Sequence, residues 1–265
     1  MTIGFIGVGH LASAILSGML KSGQYTAAQL ALYDKRSDLS KWKDAGANLY
    51  HHEAEVIAAA DVIFIAIRPG DFSETLQTIR ESADTSGKVF VSTAAGISTD
   101  YISKGLGKPS KIIRTMPNTP IALGLGATAM SASEEVSQSE LEAVKKIFET
   151  GGIVEMLPEK NMNEIIAVNG SSPADFYLFA ESMAKAAADS GIDHDVALRL
   201  ILQTMRGSIE MMEKSGKEIS TLIREVAVPG GTTLAALDVF KQENLEGIVE
   251  KAMKACTNRA DELSK

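Results

Sequence analysis

Between residues 2 and 157 the chain alternates short β-branched runs with longer segments of helical period, and this alternation most limits what it can fold into. The strand candidates are TIGFIG, LALYD, DVIFIAI, KVFVSTA, KIIRTM, GATAMS and GIVEML. Strands separated by helical stretches form βαβ units, whose crossovers favour parallel pairing. Residues 62–67 are apolar throughout rather than at every second position, which suits a strand covered on both faces. A doubly wound, Rossmann-like α/β sheet is therefore expected, with helices on either side. After Pro158 the strand signal stops, and residues 161–265 read as helix only. The expected division is residues 1–157 for the α/β half and 158–265 for an all-α half.

In the second half, SSPADFYLFAESMAKAAADSG carries Phe176, Phe179, Ala180, Met183 and Ala187 at three- and four-residue spacing, which makes one apolar stripe. Ala197, Leu200, Ile201, Thr204, Met205, Ser208 and Met212 make a second. These helices either pack on one another or interleave with a second copy, and the pattern permits both. An apolar content of 45% supplies a core for each half. The formal net charge of −8 argues against a nucleic-acid partner, which would require a basic face. No apolar run is long enough to span a membrane, and no basic, cleavable leader precedes the first strand. Cys256 is the only cysteine, so neither a disulfide framework nor a thiolate metal site is available. A cytoplasmic protein acting on small molecules is expected.

The first strand runs into Gly7-Val8-Gly9-His10-Leu11-Ala12, a G-x-G-x-x-A pattern at a strand-to-helix turn. Gly7 suits the tight turn, Gly9 lets a pyrophosphate approach the backbone, and Ala12 lets the helix pack closely on the strand. The second strand ends at Asp34, placed to accept from ribose hydroxyls, while Lys35, Arg36 and Ser37 are placed to meet a 2′-phosphate. The basic neighbours and the alanine in the third glycine position favour NADPH over NADH. Three further strands end in AIRPGD, STAAGI and RTMPNTP, at the sheet edge where open α/β folds bind ligands. In the last of these, Asn118 offers an amide able either to bind a carboxamide or to brace the turn. HHE at 51–53 and DHD at 193–195 contain ligand-type residues without ligand spacing, so no metal site is expected.

VPGGTT at 228–233 precedes an apolar helical stretch and holds no ionisable side chain. Two readings fit it. Either Thr232 or Thr233 caps the helix, or the unpaired N–H groups of the helix start form a neutral anion site.

Taken together, GFIGVGHLA, AIRP, STAAGI, RTMPNTP, NGSSPADFYLFAESMA and VPGGTT resemble the Δ1-pyrroline-5-carboxylate reductase family in order and spacing, over nearly the whole chain. The resemblance implies cofactor contacts from Gly7, Val8, Gly9, His10, Leu11, Asp34, Arg36, Ser37, Ala66, Ile67, Arg68, Pro69, Ala94, Ala95, Gly96, Met116, Pro117 and Asn118. It implies a substrate site at Gly230, Gly231, Thr232 and Thr233, with the Thr233 hydroxyl on the ring nitrogen. It also implies that the helical half is a dimerisation domain, giving a homodimer or an oligomer of dimers. The family usually carries Asn at His10, Met at Leu11, Lys at Arg68 and Ser at Val228, and the last difference removes a hydroxyl beside the substrate site. Three alternatives are a reductase of a related cyclic imine, a non-catalytic cofactor-binding regulatory paralogue, and a β-hydroxyacid dehydrogenase. The dehydrogenase would need a lysine base that NGSSPADFYLF does not offer.

Overall fold

The computed structural model describes residues 1–264; Lys265, the last residue of the expected helical half, lies outside them. The chain divides into two compact units, Met1–Ser171 with residues 255–264, and Ser172–Lys254. The first unit runs β1 (Ile3–Ile6), α1 (His10–Lys21), β2 (Leu30–Tyr33), α2 (Ser40–Asp44), β3 (Asn48–Leu49), α3 (Glu53–Ala59) and β4 (Val62–Ile65). It continues through α4 (Phe72–Ser82), β5 (Val89–Ser92), α5 (Thr99–Leu106), β6 (Lys111–Met116), β7 (Gly126–Ala132), α6 (Gln138–Glu149) and β8 (Gly152–Met156). The eight strands form one sheet in the order β3-β2-β1-β4-β5-β6-β7-β8. β1 pairs in parallel with β2 on one side and β4 on the other, so the strand order reverses there.

The sheet departs from the expected parallel arrangement at one place: β7 runs antiparallel to β6. The connection between them holds only a 3₁₀ turn, Thr119–Leu123, where a parallel pair would need a crossover. α6 then supplies a crossover, and β8 returns parallel to β7. β3 is a two-residue edge strand, too short to leave a periodic signal.

Because successive side chains in a strand face opposite ways, the apolar runs feed two cores. On one face Ile3, Phe5, Leu32, Phe64 and Val91 pack against Ala12, Ile15 and Leu16 of α1 and Phe148 of α6. The Phe5 and Phe64 rings stack with centroids 4.3 Å apart. On the other face Ile6, Ile63, Ile65 and Phe90 meet Val56 of α3, Phe72 and Leu76 of α4 and Ile102 of α5. Each fully buried side chain of this size stabilises the fold by about 1.5–3 kcal/mol, which makes the sheet a firm platform for the loops at its edge.

The two compact units part after Ser171, past the end of the last strand at Met156. Met162, Ile166 and Ala260 explain the gap, since they pack with Met116 and Ala129 in a third cluster that belongs to the first unit. A π-helical turn, Ile166–Gly170, ends this segment, with the Ser171 N–H donating to the Ile166 carbonyl at 2.8 Å. The second unit holds α7 (Ser172–Asp189), α8 (His194–Lys214), α9 (Ile219–Val226), α10 (Thr232–Gln242) and most of α11 (Leu245–Leu263), whose end returns to the first unit. Of the expected α7 stripe, Ala180 is buried while Phe176, Phe179 and Met183 remain exposed. Leu200 of the α8 stripe is likewise 64% exposed, so parts of these apolar faces stay uncovered among the described residues.

Candidate active site

The glycine turn after β1 is built where the ends of β1, β2 and β4 meet. Gly7 adopts φ +89°, and its N–H donates to the Tyr33 carbonyl at 2.8 Å. A Cβ at Gly7 would lie 2.6 Å from the Ala66 carbonyl oxygen, so only glycine fits. Gly9 caps α1 in an extended conformation without a side-chain hydrogen bond, and nothing lies within 4 Å of the position its Cβ would take. The first N–H groups of α1 thus open onto free space, the arrangement that receives a phosphate.

A cleft of about 380 Å³ lies over this turn. It gathers Gly7, Gly9, His10, Asp34, Arg36, Ser37, Ala66, Ile67 and Arg68 of the expected cofactor residues. Asp34, just after β2, lines the cleft and is held by three backbone donors. Its Oδ2 accepts from the Val8 N–H at 2.6 Å, and its Oδ1 accepts from the N–H groups of Arg36 at 2.7 Å and Ser37 at 2.6 Å. The carboxylate braces the glycine turn and the loop after β2, and its lone pairs are largely committed to backbone donors. Asp71 joins the two arginines: its Oδ2 lies 3.5 Å from Arg36 Nη1 and 3.3 Å from Arg68 Nε. Both guanidiniums remain mostly exposed at the cleft, their side chains 60% and 71% accessible. Lys35 lines the same cleft and pairs there with Glu74 at 3.2 Å, a hydrogen bond that raises its ammonium pKa. Burial pushes the Tyr33 phenol up as well.

The other expected cofactor residues do not line this cleft. Val8 is buried and Leu11 packs on the first core. Pro69 begins a 3₁₀ turn beside Arg68. Ala94, Ala95 and Gly96 follow β5, and Met116 and Pro117 end β6, further along the same carboxyl edge. Of the two roles open to Asn118, the brace is the one observed. Its Nδ2 donates to the Asn169 carbonyl at 3.1 Å, and its Oδ1 accepts from the Ala127 N–H at 2.9 Å. Asn169 completes the tie, donating to the carbonyls of Met116 at 2.7 Å and Ala127 at 2.9 Å. Sequence reasoning missed Asn169 as a polar anchor because its partners lie 53 and 42 residues away.

In the second unit the VPGGTT stretch forms a tight turn into α10. The Gly231 N–H donates to the Val228 carbonyl at 3.0 Å, and Gly230 takes the left-handed conformation at φ +75°. Gly231 itself is the N-cap, without a side-chain hydrogen bond, so neither Thr232 nor Thr233 caps the helix. Both threonines lie inside the first turn of α10, where their N–H groups have no helical acceptor. Thr233 also lines an apolar cavity of about 570 Å³ with Met211, Met212, Leu222, Ile223 and Leu237, where Glu225 is paired with Lys217 at 2.7 Å. Cys256 is half-buried beside the third core cluster, its Sγ 3.3 Å from Ser171 Oγ. Among the described residues no group of three or more His, Cys, Asp or Glu side chains is placed to hold a metal ion.

Residues 159–263 match the family model for pyrroline-5-carboxylate reductase dimerisation, and residues 2–96 match that for coenzyme F420-dependent NADP oxidoreductases. The pyrroline-5-carboxylate reductase of Escherichia coli is 35% identical over 265 residues, spanning 99% of this chain and 98% of that protein. The chain belongs to the pyrroline-5-carboxylate reductase family. Among solved structures, the Coxiella burnetii family member superposes with a TM-score of 0.88 at 31% identity, covering 100% of this chain and 98% of that one. The Plasmodium falciparum pyrroline carboxylate reductase, solved with NADP bound, superposes with a TM-score of 0.93 at 26% identity over the same shares. The family's two-part organisation is present here, with a Rossmann-like α/β unit followed by a mostly helical region, and the chain is an NAD(P)-dependent oxidoreductase. Among the described residues no helix is long and apolar enough to cross a membrane.

Proposed function

We propose that the protein is a cytoplasmic reductase that converts Δ1-pyrroline-5-carboxylate to L-proline, preferring NADPH to NADH. The observation that carries this reading is the kinship over the whole chain, both units included, joined to a glycine turn with room for a pyrophosphate. The cleft fits a dinucleotide at three points. A Cβ at Gly7 would fill the turn, the start of α1 offers free N–H groups at Gly9, and Arg36 and Arg68 supply cations at its rim. The preference for NADPH is supported by Asp34, whose carboxylate is taken up by three backbone N–H groups while Arg36 stays accessible.

The bound nicotinamide supplies the hydride. This chain's residues hold the imine so that C5 receives it while the ring nitrogen keeps a proton. A protonated cyclic imine is already electrophilic, which is why the site needs no strong side-chain acid and VPGGTT carries no ionisable group. The N–H groups at the start of α10 hold the substrate carboxylate, and the Thr233 hydroxyl hydrogen-bonds the ring nitrogen. Orienting two bound reactants in this way contributes up to about 7–11 kcal/mol in favourable cases. The exposed stripes of α7 and α8 are the dimer contact, and VPGGTT of one chain completes the active site of its partner. Higher assemblies are built from such dimers.

NADPH oxidation measured with and without pyrroline-5-carboxylate tests the proposal. Turnover that depends on the substrate supports it. Cofactor binding without turnover refutes it in favour of a regulatory protein, and turnover confined to other cyclic imines reassigns the substrate.

A further inference from the structure

A polar cluster with Arg114 buried at its centre grips the loop that follows β5 at two places. Inside the loop the Ser264 hydroxyl donates to the Gly96 carbonyl at 2.5 Å. Gly96 has φ +78°, and a Cβ there would lie 2.5 Å from the Ala260 carbonyl oxygen, so the end of α11 lies directly on the loop backbone. At the far end the N–H of Thr99, the first residue of α5, donates to Glu159 Oε1 at 3.2 Å. Arg114 links the two grips. Its Nη1 donates to the same Glu159 oxygen at 3.0 Å, and its Nη2 donates to Asn163 Oδ1 at 2.5 Å. Asn163 Nδ2 in turn donates to Asp261 Oδ1 at 2.6 Å and lies 3.4 Å from Ser264 Oγ.

Arg114 is almost wholly buried, yet its Nε and Glu159 Oε2 are buried without a hydrogen-bond partner. An ion pair with one partner buried and polar atoms left unsatisfied contributes little to stability compared with apolar packing, so geometry is the better account of its use. The loop it holds is well placed to matter. β2 lies on one side of β1, and β4 then β5 lie on the other. A dinucleotide whose adenosine end meets Arg36 after β2, and whose pyrophosphate sits on Gly9, extends its far half across the carboxyl ends of β4 and β5.

We propose that the Arg114 cluster and the C-terminal turn at Asp261 and Ser264 position the residue 93–98 loop to receive the nicotinamide half of the cofactor. The end of α11 thereby positions the loop from outside the cofactor cleft. This inference rests on the dinucleotide reading given above, and the test separates the two. NADPH binding is titrated directly by fluorescence for the wild type, Ser264→Ala, Ser264→Thr and Arg114→Lys, alongside steady-state kinetics and thermal melts. Ser264→Ala, which removes one hydroxyl, is expected to raise the Kd for NADPH about fivefold, the fold-change of one neutral hydrogen bond. Its KM for pyrroline-5-carboxylate at saturating NADPH should change less than its Kd for NADPH, and Ser264→Thr should restore the Kd. Arg114→Lys keeps the charge but loses the fork, and should weaken NADPH further. Variants that melt earlier yet bind NADPH with the wild-type Kd would overturn the inference, leaving the cluster as a plain staple. A wild-type protein that does not bind NADPH would instead overturn the cofactor reading itself.

Discussion

Replacing Arg36 with alanine should separate the two nicotinamide cofactors, and the geometry sets the size of the effect. In the free protein Arg36 Nη1 lies 3.5 Å from Asp71 Oδ2, a carboxylate it shares with Arg68 at 3.3 Å. These pairs are exposed, so each contributes at most about 1 kcal/mol. A guanidinium hydrogen bond to a 2′-phosphate is charge-assisted and worth about 1.5–3 kcal/mol. Giving up the weaker contact to make the stronger one leaves a net gain of about 0.5–2 kcal/mol, or roughly two- to thirty-fold in Kd. Arg36→Ala should therefore weaken NADPH by that factor and leave NADH unchanged, because NADH has no 2′-phosphate. Asp71→Asn should act in the opposite sense, releasing both guanidiniums and tightening NADPH severalfold. Fluorescence titration of both cofactors against both variants measures the four constants. Since the groups are exposed, the preference for NADPH should also narrow as salt is added. Equal losses for NADPH and NADH in Arg36→Ala would refute the reasoning, for the arginine would then be supporting the fold of the loop rather than reading the phosphate.

Thr233→Ala should lower kcat by something like 10–10³-fold with NADPH affinity intact, and Thr233→Ser should recover most of the loss; steady-state kinetics decide it. In Gly231→Ala the new methyl would meet Val228 Cγ2 and its carbonyl oxygen, each at 3.0 Å, so the turn must shift and the KM for pyrroline-5-carboxylate should rise while the Kd for NADPH holds. Mixing Gly9→Glu with Gly231→Glu protein should restore part of the activity if each site takes VPGGTT from the partner chain; no recovery after chain exchange would argue that each chain holds a whole site. The Glu55 carboxyl is held below its usual 4.5 by the N–H of His51, helped by that of His52. Its stabilisation is therefore complete above pH 4.5 and fades as pH falls through the lower folded value, and Glu55→Gln should flatten the denaturation midpoint across that window.

The parts of this molecule that were legible in its sequence are those in which one segment carries its own instruction. Val62 to Ile65 are apolar on both faces, and so they are a central strand whatever surrounds them. The glycine pattern at Gly7 and Gly9 likewise specifies a strand-to-helix turn, because the φ of +89° and the close approach of Ala66 are demands on the backbone at that point. What was not legible depends on meetings between distant segments. Asp34 at the end of a second strand has the residue type and place of a ribose ligand, yet three N–H groups converge on it, one of them from Val8, 26 residues earlier. Thr232 and Thr233 are good capping residues by type, but the turn closed by Val228 and Gly231 brings Gly231 to the cap and leaves them inside the helix. The direction of β7 was hidden for a related reason, since the apolar run is the same in either direction and only the short 3₁₀ connection rules out a crossover. The stripes of the helical half show the same limit in its strongest form. A period of three and four residues says that Phe176 and Leu200 lie on apolar faces, but not what covers them. Their exposure in a single chain is the opening that the proposed partner would fill.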